Sequence, residues 1–240
     1  MANQVAKVSL VAIADIEEVT GIADASLAEL SGLEFTGTPP DAMTLLGTVT
    51  GSNVTSITVN DSTLDIGISS TYDMYIFEVI NAHSHSNQGT TQNLQFAVNH
   101  TNTADYNDIL IDNAFGLMFH DEDDSSGTSG FTSIDGDRQH RQEAGYVNLT
   151  SYEGNESDES SNGQIIFWGL GSTSYEKQFV SQFSTQAGHD AGIMVEAKGN
   201  IQGKDGGSGN ITAAIDDINF KYSAGGNISA TIKVWGMAKS

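Results

Sequence analysis

The chain contains no cysteine, two prolines and only nine basic residues among 240. Without cysteine there are no disulfides, thiolate metal sites or cysteine nucleophiles, so stability has to come from packing and assembly. Nine Lys and Arg against 31 Asp and Glu leave a formal charge of -22. That charge repels phosphate backbones and anionic lipid, and nucleic acid is not an expected partner. No stretch approaches the roughly 20 apolar residues of a spanning helix, and no membrane insertion is expected. Behind Lys7, the run Val8 to Ala14 only reaches the minimum length of a signal-peptide core and merges into a repeat, so secretion is not expected either. Missing too are the Gly-X-Ser-X-Gly elbow, a phosphate loop and His-Glu-X-X-His. No catalytic residue is assigned, and the chain is expected not to be an enzyme.

What is present is material for turns and strands. The 26 glycines, with abundant Ser, Thr and Asn, suit many tight turns between short strands, because glycine supplies positive φ freely. Strands are expected over Met43 to Val49, Val54 to Val59, Tyr72 to Ile80, Asn93 to Val98 and Ile109 to Phe119. More follow over Gly145 to Ser151, Gln164 to Leu170, Glu176 to Phe183, Gly192 to Ala197, Ile211 to Tyr222 and Ile228 to Met237. The last alternates cleanly: Ile228, Ala230, Ile232 and Val234 share one face, and Ser229, Thr231, Lys233 and Trp235 the other. The expected fold is all-β, an antiparallel jelly roll or β-sandwich over residues 41-240. Residues 1-40 form a short docking segment, bounded by Thr36-Gly37-Thr38-Pro39-Pro40-Asp41, where Pro-Pro favours a stiff extended connector.

That segment holds an internal repeat offset by eleven residues. Ala14-Asp15-Ile16-Glu17-Glu18-Val19-Thr20-Gly21-Ile22 aligns with Ala25-Ser26-Leu27-Ala28-Glu29-Leu30-Ser31-Gly32-Leu33. Each unit is either one helical turn stopped by glycine or a short strand and turn, and neither can bury its own apolar side. Ile16, Val19, Ile22, Leu27, Leu30 and Leu33 either pack under the main domain or dock on another subunit or a different protein.

Several side-chain groups invite chemistry. His83-Ser84-His85 has the i, i+2 spacing that aims two imidazoles one way, but no third ligand is evident, and two exposed loop histidines are expected. Asp121-Glu122-Asp123-Asp124, Asp135-Gly136-Asp137 and Glu153 to Glu159 supply oxygen donors of the kind calcium prefers without matching an EF-hand. They read as solvated acidic loops, with a structural Ca2+ as the alternative and no other cofactor implied. Acidic pairs for glycoside hydrolysis are abundant, but the required separation cannot be read from sequence. Tyr72, Tyr75, Phe77, Phe167, Trp168, Phe179 and Phe183 are mostly core or interface. Trp235, opposite Ile232 and Val234, serves an interface or stacks on sugar.

Three segments carry a resemblance: Ser69-Ser70-Thr71-Tyr72-Asp73-Met74-Tyr75-Ile76-Phe77-Glu78; Phe119-His120-Asp121-Glu122-Asp123; and Ile215-Asp216-Asp217-Ile218-Asn219-Phe220-Lys221 leading through Gly225-Gly226-Asn227 to Thr231-Ile232-Lys233-Val234-Trp235-Gly236-Met237. Together, over about residues 62 to 240, the chain resembles jelly-roll modules of fibre and virion proteins of tailed bacteriophages, especially those of marine bacteria and cyanobacteria. The resemblance implies a closing hairpin at the C-terminus, homotrimeric assembly and contacts with other virion proteins. It implies a place on the virion surface after synthesis in the host cytoplasm, as a short fibre or a capsid decoration. It offers no catalytic residues. A host-glycan-binding module or a polysaccharide hydrolase is the rival class.

Overall fold

A computed structural model of the chain describes residues 43-60, 72-85, 92-100, 109-121, 142-187, 191-204 and 213-238, together with Tyr106, residues 126-127 and four two-residue strands nearer the N-terminus. The chain divides into two units, Met1–Pro39 and Pro40–Ser240.

In the first unit, β1 (Glu18–Val19) pairs with β2 (Ile22–Ala23), and β3 (Glu29–Leu30) pairs with β4 (Leu33–Glu34), both antiparallel. The second pair repeats the first eleven residues later, with Val19 opposite Ile22 and Leu30 opposite Leu33. Of the two readings of the repeat, the strand is therefore the one these residues adopt. Two residues separate the strands of each pair, a length suited to an antiparallel connection.

The second unit is all-β, with no helix among the described residues. Its strands are β5 (Met43–Val54), β6 (Ile57–Asn60), β7 (Tyr72–Ser84), β8 (Leu94–His100), β9 (Ile109–Asp121), β10 (Gln142–Ala144), β11 (Val147–Asn148), β12 (Ser161–Trp168), β13 (Lys177–Ala187), β14 (Ala191–Lys204), β15 (Ile215–Tyr222) and β16 (Ile228–Ala238). An eight-stranded sheet in the order β10-β9-β14-β13-β12-β7-β16-β5 packs against a four-stranded sheet in the order β11-β8-β15-β6, and all pairings are antiparallel. This is a β-sandwich of the expected class.

The period of two along each strand decides which side chains meet between the sheets. From the large sheet come Phe77, Phe167 and Phe179, all buried, and from the small sheet Phe96 and Phe220. Phe96 makes steep edge contacts with Phe167 at 5.6 Å and Phe179 at 5.1 Å, while Phe77 meets Phe167 at 5.5 Å. Such pairs add to the area they bury and fix how one sheet sits on the other.

Two expectations are corrected by the topology. The C-terminal pair is not a hairpin: β15 lies between β6 and β8 in the small sheet, and β16 between β7 and β5 in the large one. Sheets in a sandwich stand about 10 Å apart, a gap the connection over residues 223-227 can cross and a two-residue turn cannot. Gly225 takes φ +75 there, and the His85 amide donates to the Asn227 carbonyl at 2.9 Å. Likewise Gly145 to Ser151 is not one strand. The chain changes sheet between β10 and β11, with Gly145 at φ +116.

Candidate functional site

The inner face of the large sheet is filled by the core, which leaves its outer face to carry function. On that face the register lines side chains up in ranks that cross the strands. The first rank runs Met43, Met237, Met74, Trp168 over β5, β16, β7 and β12. The second runs Leu45, Trp235, Ile76, Ile166, Val180 over the same strands and β13. These nine side chains include no polar residue except for the indole nitrogens. Met43 is 50% exposed, Leu45 47%, Trp168 37% and Met237 36%, and the others are half-buried by their neighbours in the ranks. A patch of this extent, on the order of 500 Å2, reaches the size at which exposed apolar surface marks an interaction site.

The third rank changes character to Thr48, Lys233, Glu78, Gln164, Gln182, Glu196. Trp235 sits at the boundary, half-buried, with Nε1 donating to Glu78 Oε2 at 3.4 Å; Lys233 Nζ lies 4.0 Å from the same oxygen. Gln182 Nε2 donates to Glu196 Oε1 at 2.8 Å. Beyond this rank a groove of about 710 Å3 opens, lined by Ile80, Asn162, Gln164, Gln182, Ser184 and Met194 among others. Its floor passes a register shift between Ser161 and Gly163. Gly163 is required there, since a Cβ would lie 2.3 Å from the Gln182 carbonyl oxygen. Glu78 and Glu196 are separated by three strand spacings, roughly 14 Å between backbones, and Glu78 leans away towards Trp235. Paired glycosidase carboxyls need about 5 to 9.5 Å.

Comparison with protein-family models, curated proteins and solved structures found no match. The functional reading therefore rests on these surfaces and on the residues below.

Glu153 and Glu159 do not lie in a solvated loop, and this corrects the acidic-loop reading. Glu153 is fully buried and Glu159 nearly so. The hydroxyls of Tyr222, Ser161 and Thr150 donate to the Glu153 carboxyl, Thr150 at 3.4 Å. Burial pushes its pKa up to about 8; the three hydroxyls oppose the rise and nearby Glu159 adds to it. Burial, then Glu153, also drives the Tyr222 phenol upward. The Glu159 carboxyl accepts from the Glu156 amide at 2.5 Å and fills the space beside Gly154, whose absent Cβ would meet it at 2.0 Å. A carboxyl with no exposure cannot meet a substrate, so Glu153 ties the 150-161 segment to the sandwich. Nothing local in the sequence marks it, because hydroxyls like those of Thr150 and Ser161 abound in the chain and the third partner, Tyr222, is 69 residues away.

Beside this cluster, a polar pocket of about 470 Å3 is lined by Glu156, Asp158 and Glu159 among others. Among the described residues, no group of three His, Asp or Glu could hold a metal ion. Residues 122-124 and 135-137 of the other acidic runs lie outside the described residues. His83 is not in a loop but on β7, half-buried, with Nδ1 donating to the Glu159 carbonyl at 2.8 Å. Exposed His85 follows, its Nε2 2.7 Å from Ser229 Oγ and its ring edge-on to His83 at 4.9 Å. The i, i+2 spacing does bring the rings together. Of the docking residues, Ile16 and Leu27 lie outside the described residues, as do the side chains of Val19, Ile22, Leu30 and Leu33.

Proposed function

We propose that this protein is a non-enzymatic structural protein of the bacteriophage particle surface, a short fibre or capsid-decoration subunit that works by assembling with copies of itself. The observation that carries the reading is the pair of apolar ranks on the outer face of the large sheet. Two chains of charge -22 repel wherever their acidic surfaces meet. The ranks from Met43 to Trp168 and from Leu45 to Val180 are free of charge, which makes them the place where a second copy can approach. The β-sandwich and the resemblance to virion jelly rolls point the same way. In this reading Trp235 belongs to the subunit contact, where a large amphipathic ring is most effective, and Ile16, Val19, Ile22, Leu27, Leu30 and Leu33 anchor the subunit to other virion proteins. Gold-labelled antibody against residues 41-240, applied to intact phage particles, tests it. Label over the head identifies a decoration protein and label at tail or neck a fibre, whereas unlabelled particles refute a virion role.

A second reading is favoured by the groove over Asn162, Gln164, Gln182 and Ser184, whose amides and hydroxyl suit a neutral sugar beside an apolar floor. A glycan array tests it. Saturable binding lost in Gln182→Ala supports the reading, and silence on every glycan dismisses it.

A further inference from the structure

Among the described residues the two sheets end in four edge strands, and they are not alike. β10 has 3 residues, β11 has 2 and β6 has 4, whereas β5 has 12. Short edges offer little to a passing strand, but a long one presents a row of unmatched backbone donors and acceptors. Proteins usually guard such an edge with lysine, other charges or proline. Met43–Val54 reads Met-Thr-Leu-Leu-Gly-Thr-Val-Thr-Gly-Ser-Asn-Val, with neither charge nor proline, in a chain where 17% of residues are charged. Among the described residues β5 pairs on one side only, with β16. That ladder shifts register near each end but runs unbroken from Gly47 to Gly51, against Val234 to Ala230.

The unbroken stretch, Gly47-Thr48-Val49-Thr50-Gly51, is a palindrome centred on Val49. Laid antiparallel on a copy of itself about a twofold axis through Val49, it sets glycine against glycine, each Thr48 against the other copy's Thr50, and Val49 against Val49. Thr-Thr neighbours are favourable cross-strand pairs. Thr48 and Thr50 are exposed on the outer face, while Val49 packs towards the core. The apolar ranks also begin on this strand, at Met43 and Leu45.

We propose that two copies join along β5, antiparallel and in this register, so that their large sheets become one continuous sheet of sixteen strands. A second copy is the occupant because the segment complements itself and because an uncharged edge is where two strongly acidic chains can meet. The pairing closes at two, since among the described residues each large sheet's other edge is the three-residue β10. This is a twofold contact and differs from the threefold one that the resemblance implies. It rests on the reading of the protein as one that assembles with copies of itself.

The test is the solution mass of the full chain by light scattering and sedimentation, from about 1 to 100 µM, a range over which a contact of micromolar affinity passes from mostly free to mostly paired. Wild type should sediment as a dimer. Thr48→Lys/Thr50→Lys places like charges opposite one another at both pairs and should raise the dissociation constant at least about 100-fold. The circular dichroism spectrum should not change. Thr48→Glu/Thr50→Glu alone should also be monomeric, and mixing the two variants should restore the dimer, since lysine then faces glutamate. A dimer whose mass the lysine variant leaves unchanged overturns the β5 contact while sparing self-assembly. A trimer overturns the twofold arrangement, and a wild-type monomer at every concentration overturns both the contact and the assembly reading.

Discussion

Glu153→Gln should change how stability depends on pH. In the folded chain burial holds the Glu153 carboxyl at a pKa of about 8, against an ordinary value of 4.5. Between those values the folded state keeps a proton that the unfolded state releases, so stability falls as pH rises from 4.5 to 8. It is unaffected by this group below 4.5 and has no further slope from it above 8. At pH 7 the cost is on the order of 3 kcal/mol relative to pH 4.5. Glutamine keeps the shape and cannot ionise, but its amide nitrogen meets hydroxyls that now donate to a carboxyl, at a cost of about 1 kcal/mol. The variant should therefore be slightly less stable than wild type at pH 5, about 2 kcal/mol more stable at pH 7 and about 3 kcal/mol more stable at pH 8. Denaturant unfolding of both chains at pH 5, 6, 7 and 8, at one protein concentration, measures the difference directly. The other carboxylates are common to both chains and cancel. A wild-type-minus-variant difference that stays constant across this range would refute the buried, protonated Glu153.

Three further outcomes follow from the packing. Phe167→Ala removes the ring that meets Phe77, Phe96 and Phe179 and should cost about 4 kcal/mol in denaturant unfolding. Gly163→Ala drives a Cβ to 2.3 Å from the Gln182 carbonyl oxygen and should lower the melting temperature by several degrees, about 2 kcal/mol. Gly192→Ala, with nothing within 4 Å of its Cβ, should leave the melting temperature unchanged or slightly raised; equal losses at the two glycines would contradict the close approach at Gly163.

Strand positions were legible because each core strand writes its burial into a two-residue alternation. Ile228 to Trp235 is the plainest case, and Trp235 does lie opposite Ile232 and Val234. Which sheet a strand joins was not legible, because alternation is the same in either sheet; hence the expected hairpin of β15 and β16 became a crossing. The acidic run from Glu153 to Glu159 misled for a related reason. Charge suggests solvent, and only the convergence of Thr150, Ser161 and Tyr222 reveals a buried carboxyl. The apolar ranks were hidden in the same way. Met43, Met74, Trp168 and Met237 are isolated in sequence and become neighbours only once four strands are in register. The eleven-residue repeat did show its period, but not whether each unit is a helical turn or a short strand, and the backbone pairing decides for the strand.

The assembly face can be tested most directly by hydroxyl-radical footprinting of the intact chain, diluted and concentrated. Met43 and Leu45, the rank residues carried by the edge strand β5 and exposed by 50% and 47%, should lose reactivity on concentration, while Met194 and Tyr175, exposed by 49% and 76% away from the ranks, should stay reactive and serve as internal controls. Equal reactivity of Met43 and Leu45 at both concentrations, in a chain that keeps its fold, would contradict the account.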